Sequence, residues 1–519
     1  MQSAPLHSSG MAALILDGRP LTLAEIESVA IQLRPVAISL ETVAKVAQSR
    51  AVVERIVATG ESVYGVNTGF GKLADVRIPT DQLAQLQTNL VRSHACGLGE
   101  PLSEAESRAI LLLRANVLAK GLSGVRPELP QLLAEMLNAR VHPIIPAKGS
   151  VGASGDLAPL AHLALVVIGE GEAVFEGTRQ PGVQALAAAG LAPLSLAAKE
   201  GLALLNGTQA MTAVGALTIA HARRLAKLAD LAGAMSLEAL KGTPAAFDAR
   251  IHDARPHAGQ IASAANLTEL LAGSEIRESY RRHEVDPRVQ DAYCLRCMPQ
   301  VHGAVRGVLD HVAGILEIES GSATDNPLVF AFESLDQRIK GPEVLSGGNF
   351  HGAPLAYAFD YAAIALTDLA SISERRIDRL INPDINEGLP AFLTTNAGLS
   401  SGYMIAHVTS AALLNECKVL AHPASTDSVP TSGGKEDHVS MGMTGALKLR
   451  QIVHNLELIL AIEMMCAAQG LDFRQPLQPS PAVAHAHAAI RAVVPHLAED
   501  RIPAPDIEAV ARLIRSKTF

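Results

Sequence analysis

Gly149-Ser150-Val151-Gly152-Ala153-Ser154-Gly155-Asp156-Leu157-Ala158-Pro159-Leu160-Ala161-His162 sets a lone serine between an alanine and a glycine inside a bend-prone run. Glycine at 149, 152 and 155 lets the backbone enter conformations that a side chain forbids, and no Cβ shields the Gly155 nitrogen. In a tight loop that nitrogen can close on the Ala153 carbonyl carbon. Loss of two waters, one of them from Ser154, then leaves a five-membered imidazolone with an exocyclic methylene, an electrophile made from protein alone. Side chains supply nucleophiles, acids and bases but no strong electron sink, which enzymes usually take from a cofactor. The plainer reading of the same residues is a helix entry, with Asp156 as N-cap of the apolar run Leu157 to Ile168. A serine-hydrolase elbow fits worse, because G-x-S-x-G would need glycine where Asp156 stands. A phosphate loop fails because no Lys-Ser/Thr pair follows the glycines.

Outward from this loop, composition bounds the fold. The chain has 519 residues, 48% of them hydrophobic but only 3% aromatic, with no Trp. That length exceeds one comfortable core. Apolar content dominated by Ala, Leu and Val favours close-packed helices over a β-sandwich, so the class expected is mainly α. A net charge of -9 argues against a general nucleic-acid binder and leaves a small molecule as the expected partner. Five cysteines, an odd and sparse set, suit a reducing cytoplasm. Cys294 and Cys297 have C-x-x-C spacing without a second pair, so both are read as packing residues and no metal is expected. His485 and His487, two apart, diverge on a helix and make no metal pair. The start shows no basic region followed by an apolar one, and charges are read as breaking the apolar stretches before membrane-span length. A soluble, cytoplasmic protein is the expectation.

Residues 1–20 are read as a weakly ordered extension, 21–205 as an N-terminal helical domain carrying the Ala-Ser-Gly loop, and 206–519 as a domain of long helices. Thr22-x-x-Glu25 and Ser103-x-x-Glu106 are capping boxes, and Ser39 opens a helix that Gly60 ends. Tyr64 to Gly71 is too glycine-rich for a helix interior and reads as a loop presenting a tyrosine. Leu83, Leu86 and Leu90 share a helical face that continues to His94, so a polar group points where leucines were going. Long helices are predicted over about 207–240, 299–319, 354–380, 402–420 and 439–469, joined by irregular links that hold polar clusters.

Seven further stretches then match, in chain order, the histidine/phenylalanine ammonia-lyase family: Tyr64 to Gly71, Arg92 to Ala95, Leu204 to Gln209, Gln290 to Cys297, Ala323 to Leu328, Gly347 to His351 and Glu436 to Met441. The chain resembles that family over most of its length. The resemblance implies an aspartase/fumarase-like helical fold and a homotetramer whose active sites draw loops from three subunits. It also implies that Ala153, Ser154 and Gly155 become 4-methylideneimidazol-5-one (MIO), with no external cofactor. By the same resemblance Tyr64 is the base for the β-proton, which requires its pKa to be drawn down from about 10 by donors or positive charge. Asn206 and Tyr293 stand beside the prosthetic group, Arg296 clamps the substrate carboxylate, and Gln290 and Phe350 line the pocket.

Substrate choice is read at two places. In the family a Ser-His pair on the early helix goes with histidine, and here it is Ser93-His94. A carboxylate at Glu436 suits an imidazole, where the phenylalanine enzymes carry glutamine. The reaction implied is deamination of L-histidine to trans-urocanate and ammonia. A tyrosine or phenylalanine lyase or aminomutase, and a silent helical scaffold, are the alternatives. Met298 stands where the family has glutamine, and Gly433-Gly434-Lys435 replaces its frequent Ala-Asn-Gln. Lys435 puts a charge beside Glu436.

Overall fold

The computed structural model describes residues 11–280, 288–331 and 343–519. It is mainly α-helical, with short strands in four small sheets. Backbone packing divides the chain into two compact units: Met1–Ala220 with Ala313–Phe359 and Pro423–Leu447, and His221–Val312 with Asp360–His422 and Lys448–Phe519.

In the first unit local signals set the helix ends. Thr22 and Ser103 each form the reciprocal capping box with Glu25 and Glu106, satisfying two otherwise unpaired N–H groups per helix. The helix Leu40–Thr59 starts at Ser39 and stops at Gly60, whose φ of 71° is left-handed. The helix Glu104–Ala119 is buried along almost its whole length and packs against Leu23–Ala30 and Glu128–Asn138. Leu83–His94, Leu157–Val167 and Glu200–Leu205 pack on one another, and Leu157–Val167 begins directly after the Ala-Ser-Gly loop. The expected extension is partly ordered: Leu14–Leu16 pairs in parallel with Val36–Ile38, burying Leu14 and Leu16. A three-residue strand with alternating burial is too short to leave a periodic signal. Residues 1–10 of that extension lie outside the described residues.

The second unit is built on parts of the long helices Gln209–Ala239, Met298–Ser320, Ala353–Ile381 and Gly442–Asp472, with Met404–Leu420. These match the predicted spans to within three residues. The link between Gln209–Ala239 and Met298–Ser320, expected to be irregular, holds the helices Ala249–Asp253, Ala258–Leu270 and Glu275–Ser279. Its core carries a polar network. Arg376 donates to both oxygens of Glu463 at 2.6 and 2.9 Å, Ser236 and Ser373 complete that carboxylate, and His302 joins Arg376 to Asp230. A buried ion pair persists when its remaining lone pairs are filled in this way. Ala353–Ile381 and Gly442–Asp472 do reach the length and apolar content of a membrane span, contrary to the sequence reading. Their apolar windows are 67% and 83% buried in the protein, as in core helices.

Candidate active site

The strand Pro146–Lys148 pairs antiparallel with Leu98–Pro101, immediately after the helix that ends at His94. The sheet therefore delivers the chain to the Ala-Ser-Gly loop beside that helix end. Gly155, at φ +80°, runs backbone to backbone with Gly207, and the Asp156 N–H donates to the Gly207 carbonyl at 2.7 Å. A Cβ on Gly155 would fall inside contact distance of that carbonyl. The loop is also held from the far end of the unit. Ser440 Oγ and the Gly352 N–H both donate to the Gly152 carbonyl, at 2.8 and 3.1 Å, and Met441 N–H donates to the Val151 carbonyl. Asn206 Nδ2 donates to the Ser154 carbonyl at 3.0 Å, and Asn206's own carbonyl is held by the buried Arg114, which also holds Ala203.

Asp156 sits at the N-cap position predicted for it but does not cap its own helix. Its carboxylate instead takes Met211 N–H of the helix Gln209–Ala239 at 2.8 Å and Ser150 Oγ at 2.7 Å, tying three segments together. Complete burial pushes its pKa up to about 6, against those donors and Arg114. Burial likewise lowers Arg114 to about 10, which leaves it charged at neutral pH.

Glu436 reaches this loop from 282 residues away: Ser154 Oγ donates to its Oε1 at 2.5 Å. Thr431 and Ser432 donate to Oε2 at 2.6 and 2.8 Å. Partial burial pushes the Glu436 pKa up, but these three hydroxyls and nearby His94 bring it below the ordinary carboxylate value, so the group is ionised. His94 Nδ1 lies 2.9 Å from the Leu90 carbonyl, which makes Nδ1 the protonated nitrogen and leaves Nε2 an acceptor. Burial lowers its pKa, and the imidazole is neutral. Tyr64 is half-buried. Burial and the charge of Glu436 raise its pKa, while the Gly71 N–H opposes them. The depression that a phenolate base needs is therefore not supplied within this unit. Phe350 is half-buried and precedes His351, which stacks parallel on His438 at 5.8 Å.

Gln290, Tyr293 and Arg296 belong to the second unit. The Arg296 guanidinium lies 4.5 Å from the Tyr293 ring centroid, a cation–π pair on the four-residue helix Tyr293–Arg296. Tyr293 is 71% exposed, Gln290 is exposed, and Arg296 Nε is buried without a partner. Arg376 anchors this turn through the Cys294 carbonyl at 3.4 Å, and Asp291 holds the Thr243 N–H. Cys294 is buried with its thiol pKa raised by burial, and Cys297 is partly buried. Met298 is fully buried, its sulfur against Gly233. The family's polar residue is thus replaced at an interior packing position. His487 is paired with Asp472 at 2.6 Å. Among the described residues no three His, Cys, Asp or Glu side chains are grouped to hold a metal ion.

A family model for aromatic amino acid lyases matches residues 21–492. The chain belongs to the aromatic amino acid lyase family. Among its relatives are histidine ammonia-lyases of Koribacter versatilis, 57% identical over 98% of both chains, and of Sorangium cellulosum, 57% identical over 97% of both. Among solved structures, histidine ammonia-lyase from Trypanosoma cruzi matches with TM-score 0.89 and 45% identity, covering 98% of this chain and 94% of that one. Tyrosine aminomutase from Streptomyces globisporus matches with TM-score 0.92 and 40% identity, covering 98% and 97%. The protein is a carbon–nitrogen lyase.

For this aromatic amino acid lyase the sequence named Ala153, Ser154, Gly155, Asn206, His94, Tyr64, Phe350 and Glu436, all of which the first unit contains. Hydrogen bonds join Ser154 directly to Asn206 and Glu436. It assigned no role to Arg114, Gly207 and Ser440, which hold the loop, or to Thr431 and Ser432, which hold Glu436. Arg114 did carry a signal, a cation inside the otherwise uncharged and mostly apolar run Ile110 to Leu118, where a buried role fits.

Proposed function

We propose that this lyase deaminates L-histidine to trans-urocanate and ammonia in the cytoplasm, with no external cofactor. The observation that carries the reading is the ionised Glu436 against Ser154, with a neutral His94 in the same unit. Such polar groups suit an imidazole, and a phenyl ring would leave them unpaired. The 57% identical relatives named for the same reaction agree.

The loop fits MIO formation. Gly155 N would bond to the Ala153 carbonyl carbon, one water leaving with that oxygen and the Gly155 and Ser154 amide hydrogens. A second water would leave with Ser154 Oγ and its Cα hydrogen. The Ser154 carbonyl survives this chemistry, and it is the one Asn206 already holds. The ring would have an electron sink that makes the substrate amino group a better leaving group.

The chain's other residues bind and move protons. Glu436 accepts from the imidazole, Arg296 grips the carboxylate, and Tyr293 orients the amine, while Gln290 and Phe350 shape the pocket. Tyr64 takes the β-proton as the Cα–N bond breaks, the double bond forms and ammonia leaves. Because burial raises the Tyr64 pKa within its own unit, the depression a base needs is assigned to donors or positive charge from outside that unit, with Arg296 and the substrate ammonium as the candidates.

We infer a homotetramer with sites shared between subunits. Tyr361, Ile364, Ile405, Val408 and Val419 of the second unit are exposed apolar side chains of the kind a partner covers. Light scattering should give four chains, and a fully active monomer would overturn that assembly. L-histidine, L-tyrosine and L-phenylalanine offered separately should give a conjugated acid in the ultraviolet only from histidine. Faster product from tyrosine would replace the reading with an aromatic lyase.

A further inference from the structure

The segment Thr431 to Glu436 is a closed turn of unusual backbone. Ser432, Gly433 and Gly434 have φ of 52, 63 and 81° in succession, and Thr431 N–H donates to the Glu436 carbonyl at 2.8 Å. Two glycines accept the left-handed region freely. Ser432 does not, and a serine held there is over-determined by its surroundings. What holds it in view is its hydroxyl, which shares Oε2 of Glu436 with the Thr431 hydroxyl.

We propose that Thr431 and Ser432 are positioning residues for substrate selection, pinning Oε2 of Glu436 so that Oε1 alone is turned to the imidazole of histidine. This rests on the reading that Glu436 accepts from that ring. The two oxygens differ in what happens to their donors. The donor to Oε1 is the Ser154 hydroxyl, which leaves as water when the loop cyclises, whereas the two donors to Oε2 stay. Maturation thus opens one acceptor on a fixed, ionised, half-buried carboxylate. A half-buried acceptor without a donor is costly, and an imidazole N–H fills it where a phenyl ring cannot. Without the two hydroxyls the carboxylate is free to rotate about its terminal torsion and loses this preference.

The groups facing Glu436 are His94 from the helix Leu83–His94, Tyr64 from its loop and Ser154. Lys435 and Asp437 flank it in sequence, and Lys72 approaches Gly433. None is altered by removing the two hydroxyls. The donors favour the ionised form, so their loss raises the Glu436 pKa and moves the acid limb of kcat/KM to higher pH.

The test uses the full-length enzyme with Thr431→Val, Ser432→Gly and the double variant, each also in a Glu436→Gln background. Glycine is chosen at 432 because it takes a φ of 52° without strain, so this variant keeps the test alive should Thr431→Val not fold. Each single change should lower kcat/KM for histidine about tenfold, mostly through KM, which is about 1.4 kcal/mol. The acid limb should shift upward, intact mass should remain two waters short, and Thr431→Ser should restore the parent values. In the Glu436→Gln background neither change should cost more. An equal loss in that background, or no loss in the parent, overturns the positioning role. Should Glu436→Gln itself leave histidine turnover intact, the underlying reading of Glu436 falls instead.

Discussion

The loop at residues 149–156 and the turn at 431–436 look alike in sequence, each a polar run punctuated by glycines, yet their glycines answer different demands. Gly155 is left-handed and also crowded: its Cβ would strike the Gly207 backbone. Gly434 is left-handed and open, with nothing within 4 Å of an added Cβ. Crowding marks where two backbone segments run directly against each other. Handedness alone marks where a short turn must reverse to aim one side chain. On the proposed reading, the electrophile would form at the crowded glycine and the substrate would be read at the open turn.

The largest effect expected on this contrast comes from Ser154→Ala. The fold should barely register one lost oxygen, while turnover should fall by several orders of magnitude, because alanine has no hydroxyl to lose. A few-fold defect would reduce Ser154 to an ordinary loop residue. Gly207→Ala should come next. An added methyl would meet Arg114 Nη2 at 2.6 Å and Thr324 Oγ1 at 2.9 Å, at a φ of +144° that side chains rarely adopt. The loop should fail to cyclise, read as an intact mass equal to the unmodified chain. Normal cyclisation in Gly207→Ala would show that crowding is not what shapes the loop.

Much of the helical frame was legible because its signals are local. Capping boxes at Thr22 and Ser103 and the terminating Gly60 involve residues three or four apart, and each appears as read. The chemistry proposed at Ser154 could be read locally, because it rests on three adjacent residues. What holds the site was not, since Ser440 and Gly152 lie 288 residues apart and share no periodicity. Asp156 shows the limit most clearly. Its place before a helix said N-cap, but its carboxylate is spent on Met211 and Ser150, a partner choice only the fold reveals. Tyr64 shows another, since a base role asks for a lowered pKa and the burial around it raises it.

Glu436→Gln tests the reading side of the comparison. Glutamine keeps the size but not the charge, so Ser154 should still cyclise, as mass would report, while kcat/KM for histidine falls about a hundredfold. Unchanged histidine turnover would withdraw the imidazole-binding role of Glu436.

The smallest effect should come from Gly434→Ala, and it separates the two kinds of glycine directly. With open space around the position, the methyl clashes with nothing, and only the left-handed backbone at φ +81° resists it. That resistance is about 1 kcal/mol for an L-residue, to be measured as a modest fall in unfolding free energy. Asparagine tolerates this region better than alanine, so Gly434→Asn should cost less. Because Thr431 and Ser432 still hold Glu436, both variants should cyclise fully and keep histidine turnover within a few-fold of the parent. A loss of cyclisation in Gly434→Ala comparable to that in Gly207→Ala would mean that the turn is as tightly constrained as the loop, and the distinction between crowding and handedness would collapse.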